Sequence, residues 1–210
     1  MSRIIILISG NGSNLQAVLD ATQDGSIAGV EIALVVSNRA AAFGLERAKT
    51  AGIPTLYFPL KPYTDAGKGR QSYDADLAQK LLPYEPDLIV AAGWMHIFST
   101  RFLDHFPDKV INLHPAPPGQ HAGVDGIKRT FEAYRSGDAT HGGCMVHWVV
   151  PEPDAGPVIA QTIVPIGEDD TLESFEKRLH NAEHRLIVKA IKKVLEKDAL
   201  PPPSEVPLLN

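Results

Sequence analysis

The sequence predicts an α/β fold in which a mostly parallel sheet carries helices on both faces. Continuous apolar runs such as residues 4–8 and 88–92 are typical of strands that are covered on both sides. Segments with apolar residues at helical spacing alternate with these runs through the first half of the chain. In the second half, two strand-like runs flank the short loop 151–157, which predicts some antiparallel pairing there.

Expected strands and helices alternate through most of the chain. The expected strands are residues 4–8, 32–36, 55–58, 87–92, 110–113, 143–150 and 158–164. The expected helices are a first one that ends at Gly25, then residues 43–51, 72–82, 125–136 and 172–196. Residues 59–69 contain proline, glycine and lysine, and we expect a loop there. We expect one domain over residues 1–200 and a proline-rich tail over residues 201–210.

Composition and charge narrow the classes of partner. The chain has 210 residues, 44% of them hydrophobic and 21% charged, with a net charge of −5. Without a basic surplus we expect no nucleic-acid partner, and without a long apolar run we expect no membrane span. The single cysteine, Cys144, falls in a predicted strand, so we expect a buried, inert thiol and no internal disulfide. A reducing compartment, the cytoplasm, fits this cysteine usage.

A glycine-rich turn follows the first strand, at residues 9–14. Gly10 and Gly12 let the backbone bend sharply and approach a ligand closely. We expect Ser13 or Asn14 to cap the following helix, whose N-terminal amides attract an anion. The turn lacks the full glycine pattern of dinucleotide-binding folds and the lysine of a P-loop. The residues alone therefore leave open both a phosphate site and a helix cap with no ligand.

Two polar side chains close the fifth predicted strand, just before the proline-rich loop 115–119. Because strand residues alternate between faces, Asn112 and His114 point the same way. Open α/β sheets bind ligands at the carboxyl ends of their strands. An asparagine amide donates a hydrogen bond to a developing oxyanion, and a histidine gives or takes a proton near neutral pH. On its own, a motif of three residues favours a simple turn, in which Asn112 caps the loop and His114 fills space.

Asp154 is the third candidate, in the loop between the last two predicted strands. A single aspartate in such a loop is usually a turn former. If it folds beside His114, its negative charge holds the imidazole and raises the pKa of His114. The spacing of His121, His141 and His147 does not match a metal motif. We therefore expect no metal and interpret these three histidines as structural or solvent-facing.

Four motifs occur in this chain in the order and spacing of one known family. They are Ser9-Gly-Asn-Gly-Ser-Asn-Leu-Gln16, Ala92-Gly-Trp-Met-His-Ile97, Ile111-Asn-Leu-His-Pro115 and Asp154-Ala-Gly-Pro-Val-Ile159. By these motifs the chain resembles the folate-dependent formyltransferase family from residue 3 to about residue 198. The resemblance implies a three-layer, Rossmann-like formyltransferase fold. It also implies transfer of a formyl group from 10-formyltetrahydrofolate to the amine of glycinamide ribonucleotide, a step of purine synthesis.

The resemblance implies catalytic roles for the three candidates. Asn112 matches the residue that positions the formyl group and stabilises the oxyanion. His114 matches the catalytic acid, and Asp154 matches the carboxylate that tunes it. The physical interpretation agrees, because charge develops on the formyl oxygen when the amine attacks and a proton must then reach the folate nitrogen.

The resemblance implies two binding regions as well. The residues matched to the ribonucleotide are Gly12, Ser13, Asn14 and Glu183. The residues matched to the folate are Arg70, Met95, His96, Ile97, Phe98, Asn112 and Val150. The implied partners are these two small molecules, with 10-formyltetrahydrofolate as the formyl donor, and we expect a monomer or a homodimer.

Three positions depart from the pattern of the family. His96 stands where many relatives carry arginine, His180 where some carry glutamine, and Met145 replaces a common threonine. These differences concern contacts of the folate tail and of the phosphate. We expect them to leave the reaction itself unchanged.

Three alternative functions remain open at this point. A 10-formyltetrahydrofolate hydrolase shares the Asn/His/Asp core but has an extra N-terminal regulatory domain, which we expect to be absent because the first strand starts at residue 3. Methionyl-tRNA formyltransferase is longer and has a C-terminal RNA-binding domain, which we also expect to be absent. A non-catalytic phosphate-binding module would need the glycine turn but not Asn112, His114 and Asp154 together.

Overall fold

The computed structural model describes residues 1–123 and 125–196 of the chain. Its strands are β1 Ser2–Ile8, β2 Val30–Ser37, β3 Thr55–Tyr57, β4 Leu88–Ala91, β5 Val110–His114, β6 Gly142–Trp148 and β7 Val158–Val164. Its helices are α1 Ser13–Gln23, α2 Phe43–Thr50, α3 Lys61–Asp65, α4 Arg70–Leu81, α5 Thr100–Leu103, α6 Gly126–Ser136 and α7 Leu172–Leu195, with a 3-10 turn at Leu82–Tyr84. The expected proline-rich tail, residues 201–210, lies outside the described residues.

All seven strands belong to one mixed sheet, in the order β3-β2-β1-β4-β5-β6-β7. The pairs from β3 to β5 are parallel, whereas β5–β6 and β6–β7 are antiparallel. The predicted fold, with antiparallel pairing confined to the C-terminal half, is confirmed. The strand order reverses between β1 and β4, and the crevice at the carboxyl ends of two such strands is where open α/β sheets bind ligands.

Alternate side chains of β1 belong to two separate apolar cores. Ile4, Ile6 and Ile8 pack with residues of α1, α2 and α7 on one face of the sheet. Ile5 and Leu7 pack with residues of α4 and α5 on the other. All five side chains are fully buried. This agrees with the continuous apolar sequence of the strand, which is typical of a sheet covered on both sides. The sheet is therefore the middle layer of three.

Two short helices lie where the sequence predicts none. α3 lies inside the segment 59–69, so the expected loop is partly helical, and α5 follows the fourth strand. They contain five and four residues, too few to show a helical period over several turns. Pro62 lies in the first turn of α3, where a missing amide hydrogen costs no helical hydrogen bond.

The N-terminus of the longest helix, α7, is fixed by hydrogen bonds. The Thr171 side chain accepts from the Ser174 amide, and the Ser174 hydroxyl accepts from the Thr171 amide, which is a capping box. Asp170 accepts from Arg178 two turns further on and from the Gly167 amide. The helix packs against α1, β6 and β7, so its direction is set by the sheet. No described helix, α7 included, is both long and apolar enough to cross a membrane.

Candidate active site

A cavity of about 380 Å³ is lined by residues that follow β1, β4 and β5. Ten of the residues implied by the resemblance line it: Asn14, Met95, His96, Ile97, Phe98, Asn112, His114, Val150, Asp154 and Glu183. The remaining three lie beside lining residues. Gly12 and Ser13 precede Asn14 in the chain, and Arg70 contacts the backbone of Ile97. The sheet thus gathers residues that are up to 171 positions apart in the sequence, from Gly12 to Glu183.

The glycine turn leads directly from β1 into α1. Gly12 has φ +74° and is the N-cap of α1, a left-handed conformation that glycine adopts without strain. Ser13 and Asn14 both lie inside the helix, so the expected cap by either residue is wrong. Since no side chain caps α1, the backbone amides of its first turn keep their hydrogen-bonding capacity for an anion.

A second helix packs closely against this turn. The amide of Gly44, at the start of α2, donates to the carbonyl oxygen of Gly10 over 3.2 Å. A Cβ added to Gly12 would lie 2.7 Å from the Gly44 Cα, closer than real Cβ atoms approach. The turn therefore needs glycine at this position for its conformation and for its packing.

A polar group lies beside the turn, on α7. Glu183 is only 4% exposed and accepts a hydrogen bond from Asn14 Nδ2 over 3.5 Å. His180 Nδ1 lies 2.8 Å from the same Glu183 oxygen, and Glu176 is 3.4 Å from the other ring nitrogen. The hydrogen bond to Glu183, together with the charges of both glutamates, outweighs burial and raises the pKa of His180. Both His180 and Glu183 line the cavity.

Two of the candidate catalytic side chains, Asn112 and His114, both contact the third, Asp154. His114 Nδ1 lies 3.4 Å from one Asp154 oxygen, and Asn112 Nδ2 donates to the other over 3.2 Å. The Gly123 amide also donates to Asp154, over 2.9 Å. His114 Nε2 is buried and makes no hydrogen bond among the residues that the structure describes. A buried imidazole nitrogen without a partner, on a ring that lines a cavity, is suited to bond a reacting group.

Burial and charge act on the pKa of His114 in opposite directions. Burial lowers this pKa, and the nearby Asp154 charge raises it, but burial is the larger effect. The pKa of His114 therefore lies below its ordinary value, because the ring is almost fully buried. The effect of Asp154 has the upward direction expected from the sequence, but burial outweighs it. Burial raises the pKa of Asp154, but hydrogen bonds from His147 and Gly123 and the two histidine charges lower it further than burial raises it. Asp154 is thus ionised and His114 neutral near pH 7.

The sequence interpretation missed one histidine of this group. His147 is 2% exposed, and its Nε2 lies 3.4 Å from Asp154 and 3.2 Å from Asn112 Nδ2. Its Nδ1 lies 2.8 Å from the Trp148 carbonyl oxygen, which only accepts, so Nδ1 carries a proton. Nε2 is then the ring nitrogen that faces both Asp154 and the Asn112 amide. His147 pairs directly with Asn112 across β5 and β6, a register that spacing in the sequence does not show.

The opposite side of the cavity is more apolar. Met95 and Ile97 are 56% and 61% exposed, unusually high for large apolar side chains. Phe98 is buried, and both Phe98 and Val150 line the same cavity. The Met95 amide donates to the buried Ser9 hydroxyl over 2.9 Å, which ties this wall to the end of β1.

His96 lines the same wall as an uncharged ring. Its Nε2 lies 2.9 Å from Asn38 Nδ2, and the ring meets Trp94 and Tyr73 edge to face. Burial, together with the positive charge of Arg70, lowers the pKa of His96 to about 4. Although many relatives are expected to carry arginine here, this chain presents no positive charge at the position near neutral pH.

Arg70 contacts this wall from outside the cavity. Its Nε donates to Asp74 over 2.7 Å, and its Nη2 donates to the Ile97 carbonyl oxygen over 2.6 Å. Asp74 is fully buried and also accepts from the Ser99 amide over 2.8 Å. The pair therefore anchors both Ile97 and Ser99, and the charge of Arg70 is compensated by a carboxylate.

The remaining titratable groups of the described residues lack the arrangement that a metal ion needs. Within residues 1–123 and 125–196, no cluster of three or more histidine, cysteine, aspartate or glutamate side chains has the geometry to hold a metal ion. Cys144 is fully buried, and burial raises the pKa of its thiol to about 12. The expected buried, inert thiol is confirmed.

The fold and the site together are typical of an enzyme that transfers a small acyl group. Sequence comparison identifies the family of transferases. Residues 2–191 match the family described as formyl transferase. The chain belongs to the formyl transferase family. The match covers all seven strands and the greater part of α7.

Individual relatives resemble the chain over nearly its whole length. It is 46% identical to the phosphoribosylglycinamide formyltransferase of Schizosaccharomyces pombe, covering 93% of this chain and 98% of the relative. It is 44% identical to the phosphoribosylglycinamide formyltransferase of Dictyostelium discoideum, covering 90% and 96%. Among solved structures, glycinamide ribonucleotide transformylase 1 from Symbiobacterium toebii superposes with a TM-score of 0.86 at 38% identity, covering 94% of this chain and 89% of that one.

Proposed function

We propose that this protein transfers the formyl group of 10-formyltetrahydrofolate to the amine of glycinamide ribonucleotide, in purine biosynthesis. One observation supports this most directly. The cavity that holds the Asn112, His114 and Asp154 group is continuous with Asn14, in the uncapped first turn of α1. The relatives are named as transferases that act on phosphoribosylglycinamide, which favours transfer over hydrolysis or simple binding.

In this proposal the ribonucleotide occupies the side of the cavity next to the glycine turn. Its phosphate accepts hydrogen bonds from the amides of Gly12, Ser13 and Asn14, because an uncapped helix N-terminus attracts anions. Glu183 accepts hydrogen bonds from the ribose hydroxyls, a role that suits a buried carboxylate next to Asn14. The amine then points towards His114.

The folate occupies the apolar side. Its ring system lies against Met95, Ile97 and Phe98, with Val150 on the facing wall, because flat aromatic ligands fill apolar clefts with few polar groups. His96 contributes a neutral ring to this wall. Arg70 acts through the backbone of Ile97, which it holds in place.

The chemical step needs an oxyanion donor and a proton carrier between the two ligands. The amine nitrogen bonds to the formyl carbon, and the bond from that carbon to the folate nitrogen then breaks. Asn112 donates to the developing oxyanion, an interaction whose removal typically costs about 2.7–4 kcal/mol of transition-state stabilisation. Because His114 starts neutral, it can take the proton that the attacking amine loses and return it to the departing folate nitrogen. Asp154 orients this ring and stabilises its protonated form.

A direct assay tests the function. Purified protein is mixed with a 10-formylfolate and glycinamide ribonucleotide, and the folate absorbance is followed. We expect a change that requires the ribonucleotide and that produces formylated ribonucleotide by mass spectrometry. A change without the ribonucleotide would identify a hydrolase, and no change under any condition would identify a binding module.

The setting of the reaction is part of the proposal. A cytoplasmic location suits a protein whose single cysteine is a reduced, buried thiol. Both partners are small molecules, and the protein acts as a monomer or a homodimer. Cell fractionation and sedimentation velocity test these two points, and a membrane-bound or higher-order form would contradict them.

A further inference from the structure

Arg47 of α2 is bonded to the glycine turn through its whole guanidinium group. Nε donates to the Asn11 carbonyl oxygen over 2.9 Å, and Nη2 donates to the Asn11 side-chain oxygen over 2.9 Å. Nη1 donates to the Gln16 side-chain oxygen, in the first turn of α1, over 3.0 Å. One side chain thus joins the turn, the helix that follows it and the helix that packs against it.

The stem and the plane of Arg47 are also held. Its Cδ would lie 3.7 Å from a Cβ placed on Gly12, so the stem packs against the turn at the residue with the left-handed conformation. The guanidinium carbon lies 4.9 Å from the centre of the Phe43 ring, a cation–π distance. A flat group with donors in a fixed fork can make this set of contacts, whereas the single ammonium of lysine cannot.

All the hydrogen-bond partners of Arg47 are neutral oxygens. Within residues 1–123 and 125–196, no carboxylate lies within ion-pair distance of its guanidinium, and the neighbouring Glu46 is paired with Lys49. Burial lowers the pKa of His184 on α7, and the positive charge of Arg47 makes a smaller contribution in the same direction, so its field reaches α7. In the described part of the chain, the charge of Arg47 is therefore not compensated by a carboxylate, and its side chain contacts the turn.

We propose that Arg47 is a positioning residue for the ribonucleotide phosphate, which it serves by holding the glycine turn in the shape that receives the anion. The inference rests on the proposed function, because it assigns the phosphate to the first turn of α1. Arg47 acts through Asn11 and Gln16. It therefore affects binding of the ribonucleotide and leaves the chemical step between amine and formyl group unchanged.

The test compares Arg47→Ala and Arg47→Lys in steady-state kinetics with both substrates varied. We expect each variant to raise the KM for the ribonucleotide by about tenfold or more, since several hydrogen bonds that hold the turn are lost together. The kcat at saturating ribonucleotide and the KM for the folate should stay within about twofold of the wild type. Asn11→Ala removes one acceptor only and should raise the ribonucleotide KM less. Lys49→Ala, on the same helix but pointing to solvent, is the matched control.

Each result decides the proposal. If Arg47→Lys keeps the wild-type KM while Arg47→Ala does not, positive charge alone is sufficient and the positioning role is wrong. If both variants change kcat and the two KM values equally and also lower the unfolding temperature, Arg47 is only structural. If Asn11→Ala and Lys49→Ala have the same KM, the contact with the turn has no effect on binding. Wild-type turnover with glycinamide ribonucleotide, measured first, separates a failure of this proposal from a failure of the proposed function.

Discussion

The two ends of the cavity are lined by different chemical groups. At the end assigned to the ribonucleotide, the ligand-facing groups are backbone amides and a buried carboxylate, held by hydrogen bonds to α2 and α7. At the end assigned to the folate, they are large apolar side chains, two of them more than half exposed. Each end has an arginine behind it, Arg47 at the first and Arg70 at the second.

The two arginines differ in what compensates their charge. Arg47 meets neutral oxygens, so its positive charge remains available to an anion at the glycine turn. Arg70 is paired with the fully buried Asp74, so it fixes the wall and adds little net charge. The difference teaches that an arginine near a ligand site attracts an anion only if no carboxylate of the protein already neutralises it.

The largest effect is expected between the two ends, at Asp154. Asp154→Asn keeps the shape of the side chain and removes its charge, and asparagine tolerates the φ of +55° found here. The pKa of His114 should fall further, because the charge that raises it is gone. We expect turnover to fall by about 10²- to 10⁴-fold, with both substrate affinities nearly unchanged. NMR titration of His114 and turnover against pH check this, and an unmoved pKa with near-full turnover would reduce Asp154 to a turn former.

A smaller effect is expected at the glycine turn, where a substitution should weaken binding of only one of the two ligands. Gly12→Val puts a branched side chain at φ +74° and against Gly44, so the turn must shift. Ribonucleotide affinity should fall by at least about tenfold while folate affinity is retained. Gly10→Ala is the control, because a Cβ at Gly10 meets nothing within 4 Å. Titration calorimetry with each ligand decides, and equal loss of both in a folded Gly12→Val protein would contradict the assignment.

The opposite selectivity is expected at His96, where a substitution should weaken binding of the folate and not of the ribonucleotide. His96→Ala removes a ring that lines the apolar wall and is packed against Trp94 and Tyr73. Folate affinity should fall by roughly threefold to tenfold, about 1 kcal/mol, while ribonucleotide affinity is unchanged. His105→Ala, an exposed histidine away from the cavity, is the control. An unchanged folate constant would show that the ring does not touch the ligand.

The last effect concerns stability against pH and not ligand binding. The pKa of His96 is lowered to about 4 in the folded protein, from an ordinary value of 6.5. Between these values the unfolded chain binds a proton at this residue and the folded chain does not, so stability is lost as the pH falls from 6.5 towards 4. His96→Asn should lessen this loss, measured as the difference in the free energy of unfolding by urea at pH 7 and pH 5. An identical difference in both proteins would contradict the lowered pKa.

The fold was predictable because its signals are local. The apolar run of β1 and the alternation of strands with helices are visible in short windows, and the loop at residues 151–157 indicates the antiparallel return. α5 was missed because four residues show no period. The catalytic candidates Asn112 and His114 were found because they are two positions apart on one strand.

The rest of the site depends on contacts between distant segments. His147 meets Asn112 only through the register of β5 and β6, and Arg47 meets Asn11 only through the packing of α2. The net pKa of His114 could not be predicted from the sequence, because burial, the larger influence, is a property of the whole fold. The contribution of Asp154 to that pKa has the expected direction.

The exposed side chains of Met95 and Ile97 have a consequence for the heat capacity of binding. They are 56% and 61% exposed, so water covers them in the free protein. A flat ligand laid across them removes apolar surface from water, and this gives binding a negative heat-capacity change. A phosphate held by backbone amides removes polar surface and gives no such change. The enthalpy of folate binding should therefore become steadily more favourable on warming, while that of ribonucleotide binding stays nearly level.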